Sequence, residues 1–182
     1  MNARVSLVSA TDTPDASRAL LDAVHGAFGA TPNMFRAVAN SPAALQAMWG
    51  FFGALGGGSL PAKLAEQIAV AVADRNGCEY CLAAHTMLGR KAGASAAEMS
   101  AAQAGESADP ATAAVLGFAL KLVAQRGQVG DADVAALRAA GFGDGQIVEI
   151  LAHVALNLFT NYVNVAFAVP VDFPAMKLRS AA

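Results

Sequence analysis

The side chains best equipped for chemistry sit together in the stretch CEYCLAAH: Cys78 and Cys81 are the only cysteines, and His85 is one of three histidines. On a helix, separations of three and four residues bring side chains onto one face, so two sulfurs and an imidazole converge on a small volume. A helix N-terminus offers unpaired N–H groups and the positive end of the dipole, and both favour a thiolate. The thiolate is the attacking form, and a neighbouring imidazole lowers the ordinary thiol pKa of about 8.5. A second thiol three positions away can condense with an oxidised sulfur before it passes to an irreversible state, giving a disulfide that a partner reduces. On the dipole argument alone Cys78, nearer the helix end, has the stronger claim to the thiolate.

Twelve residues before Cys78, Glu66 lies in SLPAKLAEQIAVAVADRNG among Ile68, Ala69, Val72 and Ala73. A partly buried carboxylate needs a partner. His85 is the natural one, and a Glu–His–Cys relay would orient the imidazole to draw a proton from the thiol. Glu66, Cys78, Cys81 and His85 also make a possible four-ligand zinc shell. Three of these lie within two turns of one helix, whereas structural zinc usually ties separate segments together, so the redox reading is preferred and no metal or cofactor is expected. His25 and His153 read as packing or capping residues, and Glu149 stands one turn before His153, placed to pair with it. CxxC also occurs in thioredoxin, but that fold needs alternating strands and helices, which are not indicated here.

The elements that must position these groups read as helices throughout, seven to nine of them, with strand signals nearly absent. A first helix is expected from about Pro14 to Phe28, capped by Asp12 or Thr13, with short ones over Pro32 to Asn40 and Pro42 to Leu55. After Gly56, Gly57 and Gly58, Ser59 is expected to cap a helix from Pro61 to Arg75, which Asn76 and Gly77 end in the left-handed conformation. The cysteine helix runs to about Lys91. Further helices follow near Ala96 to Gln103, from Asp109–Pro110 to Gln125, from Asp131 towards Gly141, and from Asp144 to a stop before Pro170.

That last segment carries no Asp, Glu, Lys or Arg from Ile150 to Val171, the length of a membrane span. His153, Asn157, Asn161 and Asn164 nevertheless recur at intervals of four, four and three, so a polar stripe marks one face, and a buried helix is expected instead. Residues 1–182 fit one domain large enough to fold without staples. A net charge of −2 with 14% charged residues supplies no basic field for a polyanion, and the second helix of DADVAALRAAGFGDGQIVEIL lacks the basic residues of a DNA reader. No nucleic acid partner is expected. Hydrophobic residues make up 55%, above the roughly 45–50% usual for soluble domains, which points to surface buried between subunits of a homo-oligomer. MNARVSLVSATDTPDAS has no apolar run of signal-peptide length, so a cytoplasmic location is expected.

Assembled as Glu66, eleven residues, Cys78-Glu79-Tyr80-Cys81, three residues, His85, the pattern resembles the AhpD-like alkylhydroperoxidase and carboxymuconolactone decarboxylase superfamily, in its peroxidase-related branch. ATPNMFRAVANSPAALQAMWGFF (residues 30–52) and LNLFTNYVNVAFAVPVDFP (residues 156–174) resemble its flanking segments. The resemblance implies an all-α fold assembled as homotrimers or homohexamers, and a thiol-dependent peroxidase reducing organic hydroperoxides at the expense of a dithiol reductant. By that analogy Cys81 is the peroxidatic thiol, Cys78 the resolving one, and Glu66 with His85 the proton relay. Tyr80 belongs to the site by position. Characterised alkylhydroperoxidases carry a histidine there, and a tyrosine, titrating near pH 10, cannot replace an imidazole as a neutral-pH base. The decarboxylase side of the superfamily acts on a lactone carboxylate without needing cysteine, which implies basic anchors. Arg75, Arg90 and Lys91 are the cations near the motif, and a lyase ranks second, ahead of a zinc-binding or redox-responsive protein without catalysis.

Overall fold

The computed structural model describes residues 3–9 and 11–179, so residues 1, 2, 10 and 180–182 of the expected domain lie outside it. Among the described residues there are nine helices and no strand: α1 (Asp15–Phe28), α2 (Asn33–Val38), α3 (Pro42–Gly56), α4 (Ala62–Arg75), α5 (Glu79–Lys91), α6 (Ala96–Gln103), α7 (Pro110–Ala124), α8 (Asp131–Ala139) and α9 (Asp144–Ala166). The all-α expectation therefore holds, with boundaries within a few residues of those read from the Pro, Gly and capping signals.

Helix α4 is the axis of the molecule and packs against α5, α6, α7 and α9. Its sequence explains this place. From Gln67 to Ala73 every residue is buried, and a helix apolar nearly all round is stable only when surrounded. The small side chains of Ala69, Ala71 and Ala73 let neighbours approach closely. At the end of α4, Gly77 takes the left-handed conformation at φ 65° and the Cys78 N–H reaches back to Ala73 O at 2.9 Å, which closes the helix in the manner of a Schellman turn. Asn76 keeps a negative φ of −90°, so the left-handed step falls on the glycine alone. The turn delivers Cys78 directly as the N-cap of α5.

Several caps differ from expectation. Helix α1 starts after Pro14 with no side-chain cap, because Asp12 is engaged in a local turn with the Ser9 hydroxyl at 2.6 Å. Ser59 does not cap α4, since its N–H and hydroxyl both donate to the Glu149 carboxylate, at 2.8 and 3.0 Å. Asp131, read as the cap of α8, is its first helical residue, and Asp144 opens α9 as expected. The residues that reach back over these two ends are Asp133, onto Gly130 N at 2.8 Å, and Gln146, onto Gly143 N at 3.2 Å. Ser41 and Asp109 do cap α3 and α7.

The charge-poor α9 lies against α2, α3, α4, α5, α7 and α8. Its polar stripe is buried as expected, and no helix among the described residues is long and apolar enough to cross a membrane. The opposite face of α9 carries exposed Val148, Leu151, Tyr162 and Val165. Past α9 the chain doubles back. Asp172 accepts the Asn33 N–H at 2.7 Å, Phe173 meets the Tyr80 ring edge-on at 5.4 Å, and Arg179 N binds Asp74 at 2.9 Å.

Candidate active site

The start of α5, the middle of α4 and the inner face of α9 bring the candidate residues together. On α4 and α5, Glu66 Oε2 and His85 Nδ1 lie 2.7 Å apart. Gly89, one turn beyond His85, permits that approach, because a Cβ there would stand 2.5 Å from the end of Met99 and 3.3 Å from Glu66 Cβ. Burial pushes the His85 pKa down, but the charge and hydrogen bond of Glu66, helped by Cys81, outweigh it and the net shift is upward. The imidazole is thus held towards its cationic form.

Both sulfurs are buried and unbridged. Cys78 Sγ accepts the Cys81 N–H at 3.4 Å, so the first cysteine caps the helix with its sulfur. Cys81 Sγ receives the Asn164 amide, from Nδ2, at 3.2 Å, and as a thiol donates to Thr160 Oγ1 at 3.9 Å. Its pKa is lowered to about 6. A hydrogen bond from the Cys78 thiol is the largest cause; burial opposes it, and the His85 charge and the Asn164 and Asn161 amides add to it. Cys78 is shifted the other way, first because its proton is shared with Cys81 and then by burial. The pair therefore keeps its proton on Cys78 and its charge on Cys81. This reverses the order suggested by the helix end alone: one N–H from the first turn is outweighed by donors from Cys78 and from α9.

Tyr80 points elsewhere. Its hydroxyl accepts the Met34 N–H at 3.2 Å, beside the Asp172 carboxylate. Burial, above all, keeps the phenol neutral by pushing its pKa up. No hydrogen bond joins it to Glu66, Cys78, Cys81 or His85. Glu149 likewise binds Ser59 and Leu60 rather than the His153 ring. Among the described residues no three His, Cys, Asp or Glu side chains gather as metal ligands would.

The functional contribution that the sequence reading missed is the polar stripe of α9. It was legible as buried, but not as the wall facing the cysteines. Asn164 meets Cys81, Asn161 Oδ1 accepts Asn76 Nδ2 at 2.9 Å, and Thr160 donates to Asn157 O at 3.2 Å. A cavity of about 210 Å³ lies between Glu66 and His85 on one side and His153, Asn157 and Thr160 on the other, floored by Phe52, Leu55, Leu60 and Leu156. No Lys or Arg lines it. Thr160 separates it from the sulfur by the thickness of one side chain. Removing the amide donor should move the thiol: Asn164→Leu is expected to raise the Cys81 pKa from about 6 by about one to two, the worth of one charge-assisted hydrogen bond. Thiolate absorbance followed against pH measures this, and an unchanged midpoint would remove Asn164 from the account.

The chain is similar to known proteins in part of its sequence and in its fold. Residues 42–125 match the carboxymuconolactone decarboxylase family. The sequence has no significant match among curated proteins. In three dimensions the chain is similar to an uncharacterized peroxidase-related protein with an alkylhydroperoxidase AhpD core from Ralstonia eutropha JMP134, at 27% identity and a TM-score of 0.85 over 93% of this chain and 92% of that one. It is similar to an uncharacterized peroxidase-related protein from Silicibacter sp. TM1040 at 26% identity and a TM-score of 0.80, over 92% and 91%. The debrominase Bmp8, solved with 2,3,4-tribromopyrrole, shares the fold at 20% identity and a TM-score of 0.80, over 94% and 93%. These likenesses support a peroxidase-related or carboxymuconolactone decarboxylase-like function. The family match over α3 to α7 and the fold shared with the two peroxidase-related proteins support placing the chain with the AhpD-like and carboxymuconolactone decarboxylase superfamily.

Proposed function

We propose that the protein is a thiol-dependent peroxidase that reduces a small organic hydroperoxide through Cys81 and Cys78. The observation that carries this reading is the geometry of the buried pair, with Cys78 Sγ 3.4 Å from the Cys81 N–H, the Asn164 amide 3.2 Å from Cys81 Sγ, and His85 paired with Glu66 at 2.7 Å; the lowered Cys81 pKa points the same way. The Cys81 thiolate attacks the terminal oxygen of R–O–O–H. An S–O bond forms, the O–O bond breaks, and the alkoxide takes a proton from His85, which Glu66 holds protonated. The Cys78 thiol then condenses with the sulfenic acid, releasing water and forming the Cys78–Cys81 disulfide. An external dithiol reduces that bond, becomes a disulfide itself, and its protons restore Cys78 and His85. The cavity ends at Thr160, in contact with the sulfur, so a small displacement of that side chain admits the peroxide. Both cysteines being buried, the reductant reaches them in the same way or by local opening.

With no Lys or Arg on the described cavity wall and the His85 charge already paired with Glu66 at 2.7 Å, the cavity favours an uncharged substrate over a lactone carboxylate. Mass spectrometry after one equivalent of cumene hydroperoxide tests the proposal. A loss of two hydrogens, with Cys78 and Cys81 in one linked peptide, is expected, and two unmodified thiols would overturn it. The decarboxylase-like reading predicts instead a turnover that survives replacement of both cysteines by serine.

Tyr80 is proposed as a clamp between α5, α2 and the returning C-terminal segment. Tyr80→Phe leaves the buried Met34 N–H without its acceptor, a cost of about 1–3 kcal/mol. A lower melting temperature is expected, with hydroperoxide turnover within a few-fold of wild type; collapse of turnover in a fully folded variant would return Tyr80 to the relay. A homo-oligomer, trimeric or hexameric by resemblance, is proposed to cover Val148, Leu151, Tyr162 and Val165, and should appear in sedimentation equilibrium as more than one chain mass.

A further inference from the structure

One polar group in the cavity is not used by the thiol chemistry. Asn157 is 4% exposed and lines the cavity, and its Nδ2 turns back along α9 to donate to His153 O at 2.9 Å. Only an N–H can occupy that position against a carbonyl, so the amide orientation is fixed and Oδ1 is left as the free end. Asn157 Oδ1 has no hydrogen-bond partner. A buried acceptor without a donor is costly, and in native proteins such an atom calls for an explanation.

One turn earlier on the same face, His153 also lines the cavity. Its backbone oxygen is engaged by Asn157, but no hydrogen bond reaches its ring, because Glu149, the nearest carboxylate on its own helix, is bound to Ser59 and Leu60. Burial, opposed by Glu149 and Glu66 and reinforced by His85, holds this imidazole neutral. A neutral imidazole offers one donor and one acceptor. His153 and Asn157 thus bring a donor and two acceptors without protein partners to the wall of a space otherwise lined by apolar side chains, Thr160 and the Glu66–His85 pair, with Asn157 Oδ1 covered until a ligand displaces its neighbours.

We propose that Asn157 Oδ1 and the His153 ring form a substrate subsite that selects small, uncharged molecules carrying an O–H group, with the O–H donating to Asn157 Oδ1 and His153 donating to the substrate oxygen. Asn157 is about one helical turn, roughly 5 Å of rise, from Thr160, whose Oγ1 is a further 3.9 Å from the Cys81 sulfur. A hydroperoxide held there lies on the cavity side of Thr160 and reaches the sulfur once that side chain moves aside, and the product alcohol keeps the same hydrogen bond. The cavity, at about 210 Å³, is below the roughly 300–1,000 Å³ of drug-sized sites, which restricts the ligand to a single ring or a short branched chain. This specificity rests on the peroxidase reading for its biological use, but the subsite itself can be measured without turnover.

The test uses two inert isomers, benzyl alcohol and anisole, which share a formula and an aromatic ring but differ in the O–H. Binding to the full chain is followed by protein chemical shifts on titration. Wild type is expected to bind the alcohol about tenfold more tightly than the ether, the worth of one hydrogen bond that also satisfies a buried acceptor. Asn157→Leu should abolish that preference while leaving anisole binding in place, and His153→Phe should weaken the alcohol selectively. Equal affinity of wild type for the two isomers, binding of neither, or a preference that survives in folded Asn157→Leu each overturns the subsite. If the leucine variant does not fold, the isomer comparison in wild type decides alone. Because neither isomer reacts with thiols, failure of Cys81 oxidation sinks the peroxidase reading without touching this result, and the reverse also holds.

Discussion

Replacing Cys81 by serine is expected to abolish hydroperoxide reduction, with a loss of at least about a thousandfold in kcat/KM, the scale on which removal of a nucleophile acts. The reason is charge as well as identity. A serine hydroxyl in the same place would not ionise, even with the Asn164 amide 3.2 Å from the position of the replaced sulfur. Cys78→Ser should behave differently. It keeps the nucleophile, so one equivalent of hydroperoxide is consumed and oxidation stops at Cys81 sulfenic acid, which a dimedone adduct reveals. It also removes the thiol that contributes most to lowering the Cys81 pKa, so that single turnover should be slower at neutral pH. Consumption of cumene hydroperoxide with dithiothreitol as the reductant measures both. Wild-type turnover in Cys81→Ser would end the proposed mechanism.

The second large effect is expected from Glu66→Gln. Glu66 is what raises the His85 pKa against burial, so without its charge the imidazole falls below its ordinary range and is neutral at pH 7. Two losses follow. The alkoxide has no ready proton, and Cys81 loses part of the cationic neighbour that helps hold it near pKa 6. Loss of a positioned general acid reduces rates by about a hundredfold or more. The pH profile carries the sign. In wild type, kcat/KM should rise with pH through about 6 as the thiolate forms, then fall once pH exceeds the raised His85 pKa, since the active form needs thiolate and imidazolium together. In Glu66→Gln the acid limb moves up and the alkaline limb moves down, so the plateau shrinks from both sides. A profile that merely scales downward, with both limbs in place, would remove Glu66 from the relay.

Local signals made most of the helices readable, because Pro at first turns, Gly at stops and side-chain caps act within a few residues of where they stand. Where a cap was misplaced, as at Ser59, a distant carboxylate on α9 had claimed the side chain. The Glu66–His85 pairing was legible for a different reason: a carboxylate on an apolar helix face needs a partner, and few candidates existed. The ionisation order of the cysteines was not legible from the helix end, since its decisive donors include Asn164, 83 residues away along the chain. Periodicity showed that His153, Asn157, Asn161 and Asn164 share a face, but it does not say which helix that face meets. The resemblance named Cys81, and the contacts of its sulfur supply a physical reason why it should ionise first.

Helix α9 has two occupied faces and no neutral one: amides and an imidazole turned inward, Val148, Leu151, Tyr162 and Val165 turned outward. Each residue advances the helix by about 100°. A single-codon insertion or deletion between His153 and Asn164 would therefore rotate every later side chain out of its place, carrying apolar residues towards the thiolate and amides towards the exterior. Substitutions in this segment can be graded in their effects, but changes of length cannot, so the reading frame of α9 should be among the least tolerant stretches of the gene to in-frame indels.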